Sequence, residues 1–396
     1  MLKIIRKTGY LFVNFLVYLA GFFVFRSRKY ILIGGWFGQF YGDNSKHLFE
    51  YLSQKSSGYK KIVFYTRNKD IYRALSSNGF FCVYGHSGKA VFWHLKCGIH
   101  VIDNSFYTDI MSLLSSGAFR VYLSHGVGFK DVGNYVENGA FPKQSFLNKI
   151  TSRGCWRDCY YVATSEFQKK QIIDFYNADP QKIVISSMIR DDNLNKKQSD
   201  SSDSHFNILY LPTFRGKSSR NPLLDENLDE FNRFLASHDL FFYAKPHRAE
   251  KAVWPSAHFP NFSILDSSVD IYELPFRVDL VISDYSSGIY DFLLFNVPVL
   301  SFPFDLESYL SSERKTYWPY FDTCPGQVVR TFRELSSLIL DIKNSPKAYS
   351  DKNSSKSSSI RSLLFGSKSE IDFTPLLKLL SPSKKELHIF LSTLNS

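Results

Sequence analysis

The sequence lacks the short motifs by which several enzyme classes hold phosphate or a metal ion. None of the patterns GxxxxGK, HExxH or DxD occurs in its 396 residues. The first two absences exclude a Walker-type phosphate loop and the helix of a zinc protease. The third argues against a protein that holds a nucleotide-sugar diphosphate through a divalent ion. Any diphosphate bound by this chain is therefore expected on backbone N–H groups and cationic side chains, with no metal and no cofactor.

Cysteine is sparse, with five residues at irregular spacing: Cys82, Cys97, Cys155, Cys159 and Cys324. Cys155 and Cys159 are spaced like two metal ligands, but no second pair of Cys or His lies at a zinc-like distance along the chain. We expect free, buried thiols in a reducing compartment.

Acidic residues are fewer than basic ones, 37 against 48, which gives a formal net charge of +11 and a pI near 9.2. Such a balance favours an anionic partner. No nucleic-acid-binding motif and no basic stripe interleaved with aromatic residues is present. We therefore expect a membrane surface or a phosphorylated substrate as the partner, and no nucleic acid.

No acidic residue precedes Asp43, and an apolar run over residues 10–25 lies between two basic clusters. These clusters are Lys3, Arg6 and Lys7 before the run and Arg26, Arg28 and Lys29 after it. As a helix the run is about 24 Å long, shorter than the ~30 Å hydrocarbon core of a bilayer. No small-x-small cleavage site follows, so a signal peptide is not expected. Residues 1–29 are predicted to form a helix in or on the cytoplasmic leaflet; the alternative is a core helix packed on the first domain.

Apolar strand-like runs alternate with helical segments along most of the chain, which predicts an α/β protein with parallel sheets. A polar, Ser-rich stretch interrupts the alternation, and we interpret residues 196–205 as a linker. The prediction is two Rossmann-like domains, residues 30–195 and 206–345. Residues 346–396 would form a Ser/Lys-rich segment and C-terminal helices.

Four apolar strands end in polar or charged clusters, at residues 122–131, 210–217, 243–248 and 281–288. In an open parallel sheet the carboxyl ends of the strands line the ligand crevice. The four clusters together therefore indicate a binding site more strongly than any one of them does.

The most informative cluster follows the apolar run 278–282, where the chain reads SDYSSG before a helical segment predicted at 289–295. Ser286 and Ser287 can each cap that helix or donate to a phosphate near its unpaired N–H groups. An ordinary helix cap is the alternative.

His125 also follows a strand and precedes Gly126 and Gly128. An imidazole titrates near neutrality, which suits it to accept a proton from a hydroxyl nucleophile. Lys130 would tune or orient it, and a simple turn is the alternative.

Lys245 and His247 end another strand, and Arg215 follows Thr213 at a third. Their charges suit the binding of a diphosphate. A solvated basic loop is the alternative.

The ordered series of motifs resembles the CDP-glycerol glycerophosphotransferase family, the primases and polymerases of wall teichoic acid and related capsule polymers. SHGVGFK is similar to its HGT-x-x-K element, LPTFR to A-P-T-W-R and KPH to K-x-H, and SDYSSGIYDFLLFNVPVLSFPFDLESY is close to its most distinctive signature. The similar segments are residues 37–52, 124–130, 163–176, 188–194, 211–215, 245–247, 283–309 and 324–335.

The resemblance implies a GT-B fold, with the active site between the two Rossmann-like domains. His125 would be the general base on the acceptor hydroxyl, and His247 would stabilise the diphosphate or the transferring phosphoryl group. The matched motifs also imply a set of substrate-binding residues: Gly126, Lys130, Arg190, Thr213, Arg215, Lys245, Ser286, Ser287 and Asp291, the last of them toward the nucleotide ribose.

The implied activity is transfer of a polyol-phosphate, most simply glycerol-phosphate, from a CDP-polyol donor to a hydroxyl of a lipid-linked or polymer acceptor. CMP would be released, at the cytoplasmic face of the cell membrane. Departures from the family pattern at Val127, Phe214 and residues 188–189 leave the donor alcohol open. A GT-B glycosyltransferase that uses a nucleotide-sugar is one alternative, and a non-catalytic membrane scaffold is another.

Overall fold

The computed structural model describes residues 13–55, 58–130, 159–199, 205–215, 223, 227–247, 254, 259–312, 316–367 and 370–381. These residues fall into two compact units. The first takes in the described residues up to His125, those from 159 to Arg190 and those from Ile371 onward. The second takes in residues 126–130 and the described residues between Asp191 and Glu370.

Within the described part of the first unit the strands form a seven-stranded sheet in the order β3-β2-β1-β4-β5-β6-β7. Its strands are β1 (Ser27–Ile33), β2 (Lys61–Thr66), β3 (Cys82–Tyr84), β4 (Cys97–Ile102), β5 (Phe119–Tyr122), β6 (Tyr160–Ala163) and β7 (Ile183–Ile185). All neighbours pair in parallel. The order reverses between β1 and β4, so the topological switch point, where such sheets bind ligands, lies at the carboxyl ends of these two strands.

Five helices accompany these strands in the described residues, and three of them begin at a side-chain cap. The five are α1 (residues 13–20), α2 (Asp43–Gln54), α3 (Lys69–Ser77), α4 (Gly88–Lys96) and α5 (Glu166–Tyr176). The Asn68 side chain accepts hydrogen bonds at the start of α3, Ser87 does so for α4 and Ser165 for α5. Each cap satisfies backbone N–H groups that have no partner inside the helix.

The described strands of the second unit form a five-stranded parallel sheet in the order β10-β9-β8-β11-β12. They are β8 (Phe206–Leu211), β9 (Leu240–Ala244), β10 (Phe262–Ile264), β11 (Leu280–Ser283) and β12 (Val299–Ser301). The helices are α6 (Arg190–Ser199), α7 (Leu228–Ser237), α8 (Gly288–Asp291), α9 (Leu306–Ser312), α10 (Phe332–Asn344) and α11 (Pro346–Phe365). Here the switch point lies between β8 and β11.

The central strands of both sheets are buried on both faces, as expected when helices cover a parallel sheet. All six residues of β4 are buried, and so are all four of β11. The predicted α/β class with parallel sheets is thus confirmed. The four described cysteines are free and buried, as predicted, and burial raises the pKa of Cys82 to about 12; Cys155 lies outside the described residues.

The unit boundaries differ from the predicted domain boundaries. Helix α6 runs through residues 196–199, the start of the predicted linker, and the first unit ends at Arg190. The C-terminal helix α12 (Thr374–Leu380) groups with the first unit, because Leu376, Leu377 and Leu380 join its core. A polar sequence can thus begin as a helix, and the linker over residues 196–205 stays a prediction.

The Ser/Lys-rich segment 349–359 is also helical, inside α11. Proline at the first helical positions suits a helix start. Tyr349, Ile360 and Leu364 are buried, so packing outweighs the weak helix propensity of serine.

The described part of the predicted N-terminal helix comprises α1 and a 3-10 turn, Gly21–Phe23. The Arg26 guanidinium donates to five carbonyls of the first unit, those of His94, Leu95, Cys97, Leu114 and Ser116, at 2.6–3.2 Å. Arg26 therefore anchors this segment to the fold. In the part of the chain that is described, no helix combines the length and the apolar character that crossing a bilayer requires. The structure thus gives no support to a membrane-associated helix, and residues 1–12 lie outside the described part.

Candidate active site

The segment after β11 lies at the switch point of the second unit. Helix α8 has only four residues and continues as a 3-10 turn, Phe292–Phe295, so the helical segment predicted from the sequence is present but irregular. The Ser286 N–H donates to Ser283 Oγ at 3.2 Å, and the Gly288 N–H donates to Ser286 Oγ at 3.3 Å. Ser287 occupies the N-cap position, but its side chain makes no capping hydrogen bond. Both serines are half-buried.

Asp284 joins this loop to the end of β8. Its Oδ1 accepts from the Thr213 N–H at 2.9 Å and from the Tyr285 N–H at 2.5 Å. Its carbonyl accepts from the Tyr320 hydroxyl at 2.7 Å. The carboxylate therefore connects the two strand ends that flank the switch point.

Arg215, predicted to bind substrate, lies beneath this loop. Its guanidinium pairs with Asp284 and Asp305, each at 2.7 Å, and donates to the Thr213 carbonyl at 2.6 Å. Only 3% of the side chain is exposed. Burial alone lowers the pKa of Arg215, but the two carboxylates outweigh burial and raise it. In this arrangement Arg215 stabilises the loop rather than facing solvent.

Other predicted ligands of the second unit have different surroundings. Lys245 is buried, and its Nζ donates to the carbonyls of Pro246 at 3.1 Å and Ser267 at 2.9 Å. His247 is exposed, with its ring centroid 5.7 Å from that of Phe214. Lys245 and His247 were both predicted to contact the diphosphate, but only the His247 imidazole is exposed at the surface.

Asp291, predicted to reach a ribose, is 1% exposed and accepts from the Tyr272 hydroxyl at 2.5 Å. Its side chain therefore lies inside the second unit.

The loop that contains Gly126 and Lys130 packs within the second unit. Phe129 is buried with its ring centroid 5.4 Å from that of Tyr290, and Lys130 forms a β-bridge with Thr316. A Cβ on Gly128 would lie 2.9 Å from the Ser287 Cβ, closer than real contacts allow. The sequence analysis noted Gly128 only as a residue that follows His125, whereas its close approach to the serine loop appears only in three dimensions.

His125 and Arg190 lie in the first unit. His125 follows β5 and is exposed, and Arg190 is 1% exposed and forms an ion pair with Asp43 at 2.5 Å. Arg190 Nη1 also donates to the His125 carbonyl at 2.8 Å. Arg190 therefore contacts the backbone of the predicted base. Its predicted substrate contact stays a prediction.

Two fully buried carboxylates at the switch point of the first unit were missed by the sequence analysis. Asp103 accepts from the Ser45 N–H at 2.9 Å, and Asp109 accepts from the Phe37 N–H at 2.8 Å. Burial, with Asp43 and Asp109 nearby, raises the pKa of Asp103, and burial raises that of Asp109 to about 7. The available signal was Asp103 at the end of the apolar run of β4, another strand that ends in a polar residue.

Together these features define a doubly wound α/β protein in which each unit presents polar residues at its switch point, the place where this class binds nucleotides and phosphates. The family model described as "CDP-Glycerol:Poly(glycerophosphate) glycerophosphotransferase" matches residues 18–364, and the chain belongs to this family. The resemblance seen in the motifs is thereby confirmed.

The relatives that match are teichoic acid polymerases and primases. The ribitol-phosphate polymerase TarK of Staphylococcus aureus is 30% identical over 32% of this chain, and the match spans 26% of its own length. The poly(glycerol phosphate) polymerase of Bacillus spizizenii is 22% identical over 81% of this chain and 85% of its own length. A solved structure of the wall teichoic acid polymerase TagF has a TM-score of 0.70 at 16% identity, with all of both chains covered, and shows the same fold.

Proposed function

We propose that this protein transfers a polyol-phosphate, most simply glycerol-phosphate, from a CDP-polyol to a hydroxyl of a membrane-linked glycan or polymer. The observation that carries the proposal is the Asp284–Ser287 loop at a switch point, in a chain of the glycerophosphotransferase family. The relatives named for ribitol-phosphate and for glycerol-phosphate leave two donor alcohols to compare.

In the proposed reaction the acceptor oxygen attacks the β-phosphorus of the donor. A new P–O bond forms, the bond to the CMP oxygen breaks, and CMP leaves with the electron pair. His125 accepts the hydroxyl proton as attack proceeds. The added negative charge develops on the phosphoryl oxygens and on CMP.

Ser286, Ser287 and His247 would contact the diphosphate, together with the backbone N–H groups of the loop after β11. Gly126, Lys130, Thr213 and Lys245 would also bind substrate in this proposal, and Thr213 lies next to Asp284 at the switch point. Arg215 would act by holding Asp284 in place, and no metal ion takes part in the step.

A donor panel tests the reaction. The full chain is incubated with a lipid-linked acceptor and CDP-glycerol, CDP-ribitol, or UDP- and CMP-sugars, and products are identified by mass spectrometry. We expect CMP release and a mass increase of one polyol-phosphate. Release of UDP with sugar transfer would instead support the glycosyltransferase alternative, and no turnover of any donor would support the scaffold.

The catalytic base is tested by His125→Ala. Turnover should fall by about a hundredfold or more, with little change in the affinity for the CDP donor. His238→Ala, an exposed histidine of the second unit, is the matched control. A near-wild-type rate for His125→Ala would contradict the assignment.

We further propose that the N-terminal segment contacts the cytoplasmic leaflet of an anionic membrane. Several of its apolar side chains are exposed: Val13, Leu16, Leu19, Phe22, Phe23 and Phe25. Arg28 and Lys29 follow, also exposed. Apolar insertion beside cations is the combination that favours anionic bilayers.

Deletion of residues 1–29 would also remove Arg26 and the start of β1, so substitution is the sharper test. Replacing Phe22, Phe23 and Phe25 by Ser should reduce co-sedimentation with phosphatidylglycerol vesicles. Phe321→Ser, which removes a 48%-exposed ring from the second unit, is the control. Unchanged sedimentation of the triple variant would contradict the proposed contact.

A further inference from the structure

The backbone around His125 contains several residues in a conformation that side chains disfavour. Trp36, Phe37 and Asp43 have φ values of 45°, 60° and 60°, and Ser124, which precedes His125, has a φ of 66°. Each non-glycine residue in this region costs about 1–3 kcal/mol, and such residues cluster at functional sites. All four lie in the first unit: Trp36 and Phe37 between β1 and α2, Asp43 at the first residue of α2, and Ser124 after β5.

Hydrogen bonds hold the main chain on both sides of the imidazole. Asn44 Nδ2 donates to the Ser124 carbonyl at 3.0 Å, and Arg190 Nη1 donates to the His125 carbonyl at 2.8 Å. Asn44 is 1% exposed and Arg190 is 1% exposed. The orientation of the peptide units that carry His125 is therefore set by two buried donors.

Asp43 connects these donors. Its Oδ1 pairs with Arg190 at 2.5 Å and accepts from the Asn44 N–H at 2.7 Å. Its Oδ2 accepts from Trp36 Nε1 at 3.1 Å. We name Trp36, Asp43, Asn44 and Arg190 the Asp43 network.

The network also reaches the imidazole itself. The ring centroid of Trp36 lies 6.0 Å from that of His125, with the ring planes at 69°. This edge-to-face contact lies within the range in which aromatic rings attract each other. Asp43 thus orients the ring of Trp36 and the guanidinium of Arg190, and both contact His125.

We propose that Asp43, Arg190 and Trp36 are positioning residues for His125, which rests on the proposed role of His125 as the base. The Asp43–Arg190 pair holds the His125 carbonyl, and Trp36 limits the rotation of the imidazole. A buried ion pair is poor evidence of a purely stabilising role, because apolar residues of similar volume are often as stable. The Asp43–Arg190 pair and the unfavourable φ angles instead serve to position the His125 side chain.

The test compares turnover and donor affinity in the full chain for two variants. Asp43→Asn/Arg190→Gln removes both buried charges together, and Trp36→Phe removes the five-membered ring of the indole with its N–H. Turnover should fall by about a hundredfold in the double variant and by about tenfold in Trp36→Phe, since displacement of a catalytic group by about 1 Å has effects of this size. The dissociation constant for CDP-glycerol should stay within about twofold of the wild-type value.

Tyr161→Phe is the matched control, because it also removes a polar group from an aromatic side chain of the first unit. Tyr161 is fully buried in β6, and its ring centroid lies 5.8 Å from those of Tyr122 and Tyr176. Its turnover should stay close to the wild-type value.

A second readout separates positioning from general stabilisation. In a His125→Ala background, Trp36→Phe should cause no further loss of turnover, because residues that act through one group are not additive. The inference fails if the folded Trp36→Phe variant keeps wild-type turnover, or if Tyr161→Phe loses as much. If His125→Ala itself keeps the wild-type rate, the proposed base is refuted instead, so the two failures are distinguishable.

Discussion

Replacement of Arg215 by Gln distinguishes a residue that stabilises the serine loop from one that binds the donor directly. The guanidinium is 3% exposed, and its partners Asp284 and Asp305 have side chains 0% and 5% exposed. Arg215→Gln leaves both carboxylates buried without their cation. Removing one partner of a buried ion pair costs about 3–5 kcal/mol. We expect the free energy of unfolding to fall by that amount near neutral pH.

Urea denaturation followed by intrinsic fluorescence measures the change, with calorimetric titration of CDP-glycerol in parallel. Arg277→Gln is the control, because Arg277 pairs with Asp279 at the surface of the same unit and its loss should cost less than about 1 kcal/mol. If Arg215→Gln kept wild-type stability but lost donor affinity, Arg215 would be a direct ligand and the reasoning above would be refuted.

Three further predictions concern other buried groups. Burial lowers the pKa of His94 to about 3, so the contribution of His94 to stability is present above about pH 6.5 and is lost as the pH falls below that value. The difference in unfolding free energy between wild type and His94→Asn should therefore shrink by about 2 kcal/mol between pH 7 and pH 5. A pH-independent difference in urea denaturation would contradict this. Gly128→Ala should lower the free energy of unfolding by about 1–3 kcal/mol and weaken donor binding, because its Cβ would meet Ser287. Gly88→Ala, with open space around the new Cβ, should be neutral. Equal effects of the two substitutions in thermal unfolding would argue against the close approach of Gly128 to Ser287. Arg26→Met should lower the free energy of unfolding by about 3 kcal/mol or more and speed hydrogen exchange around residues 94–97. Arg28→Met, which removes only a contact between the guanidinium and the Phe119 ring, should lower it by less than about 1 kcal/mol.

Much of the fold could be predicted because parallel α/β proteins have a strong local pattern. The runs that become β4, β8 and β11 are largely apolar, and a polar residue lies at or within two residues of the carboxyl end of each. The ordering of those polar ends along the chain was enough to identify the family. The alternation of apolar strand-like runs with helical segments depends on residues that are close in the sequence, so it can be recognised without coordinates.

The unit boundaries could not be predicted in the same way. Residues 126–130 pack with the second unit although they directly follow β5 of the first, and α12 returns to the first unit from the C-terminal end. Such groupings depend on contacts between distant segments, and composition carries no signal of them.

The sequence by itself determined the class, the family and the residue types available for phosphate chemistry at the strand ends. Only the tertiary structure decided which of those residues are already paired inside the protein. Arg190 meets Asp43 across 147 residues of chain, and Arg215 meets Asp305 across 90. The topology of the sheet brings together residues that are this far apart in the sequence, and burial then strengthens the ion pair between them. For this reason two arginines that the sequence indicated as substrate-binding residues lie, in the folded protein, beneath the loops that carry His125 and Ser286.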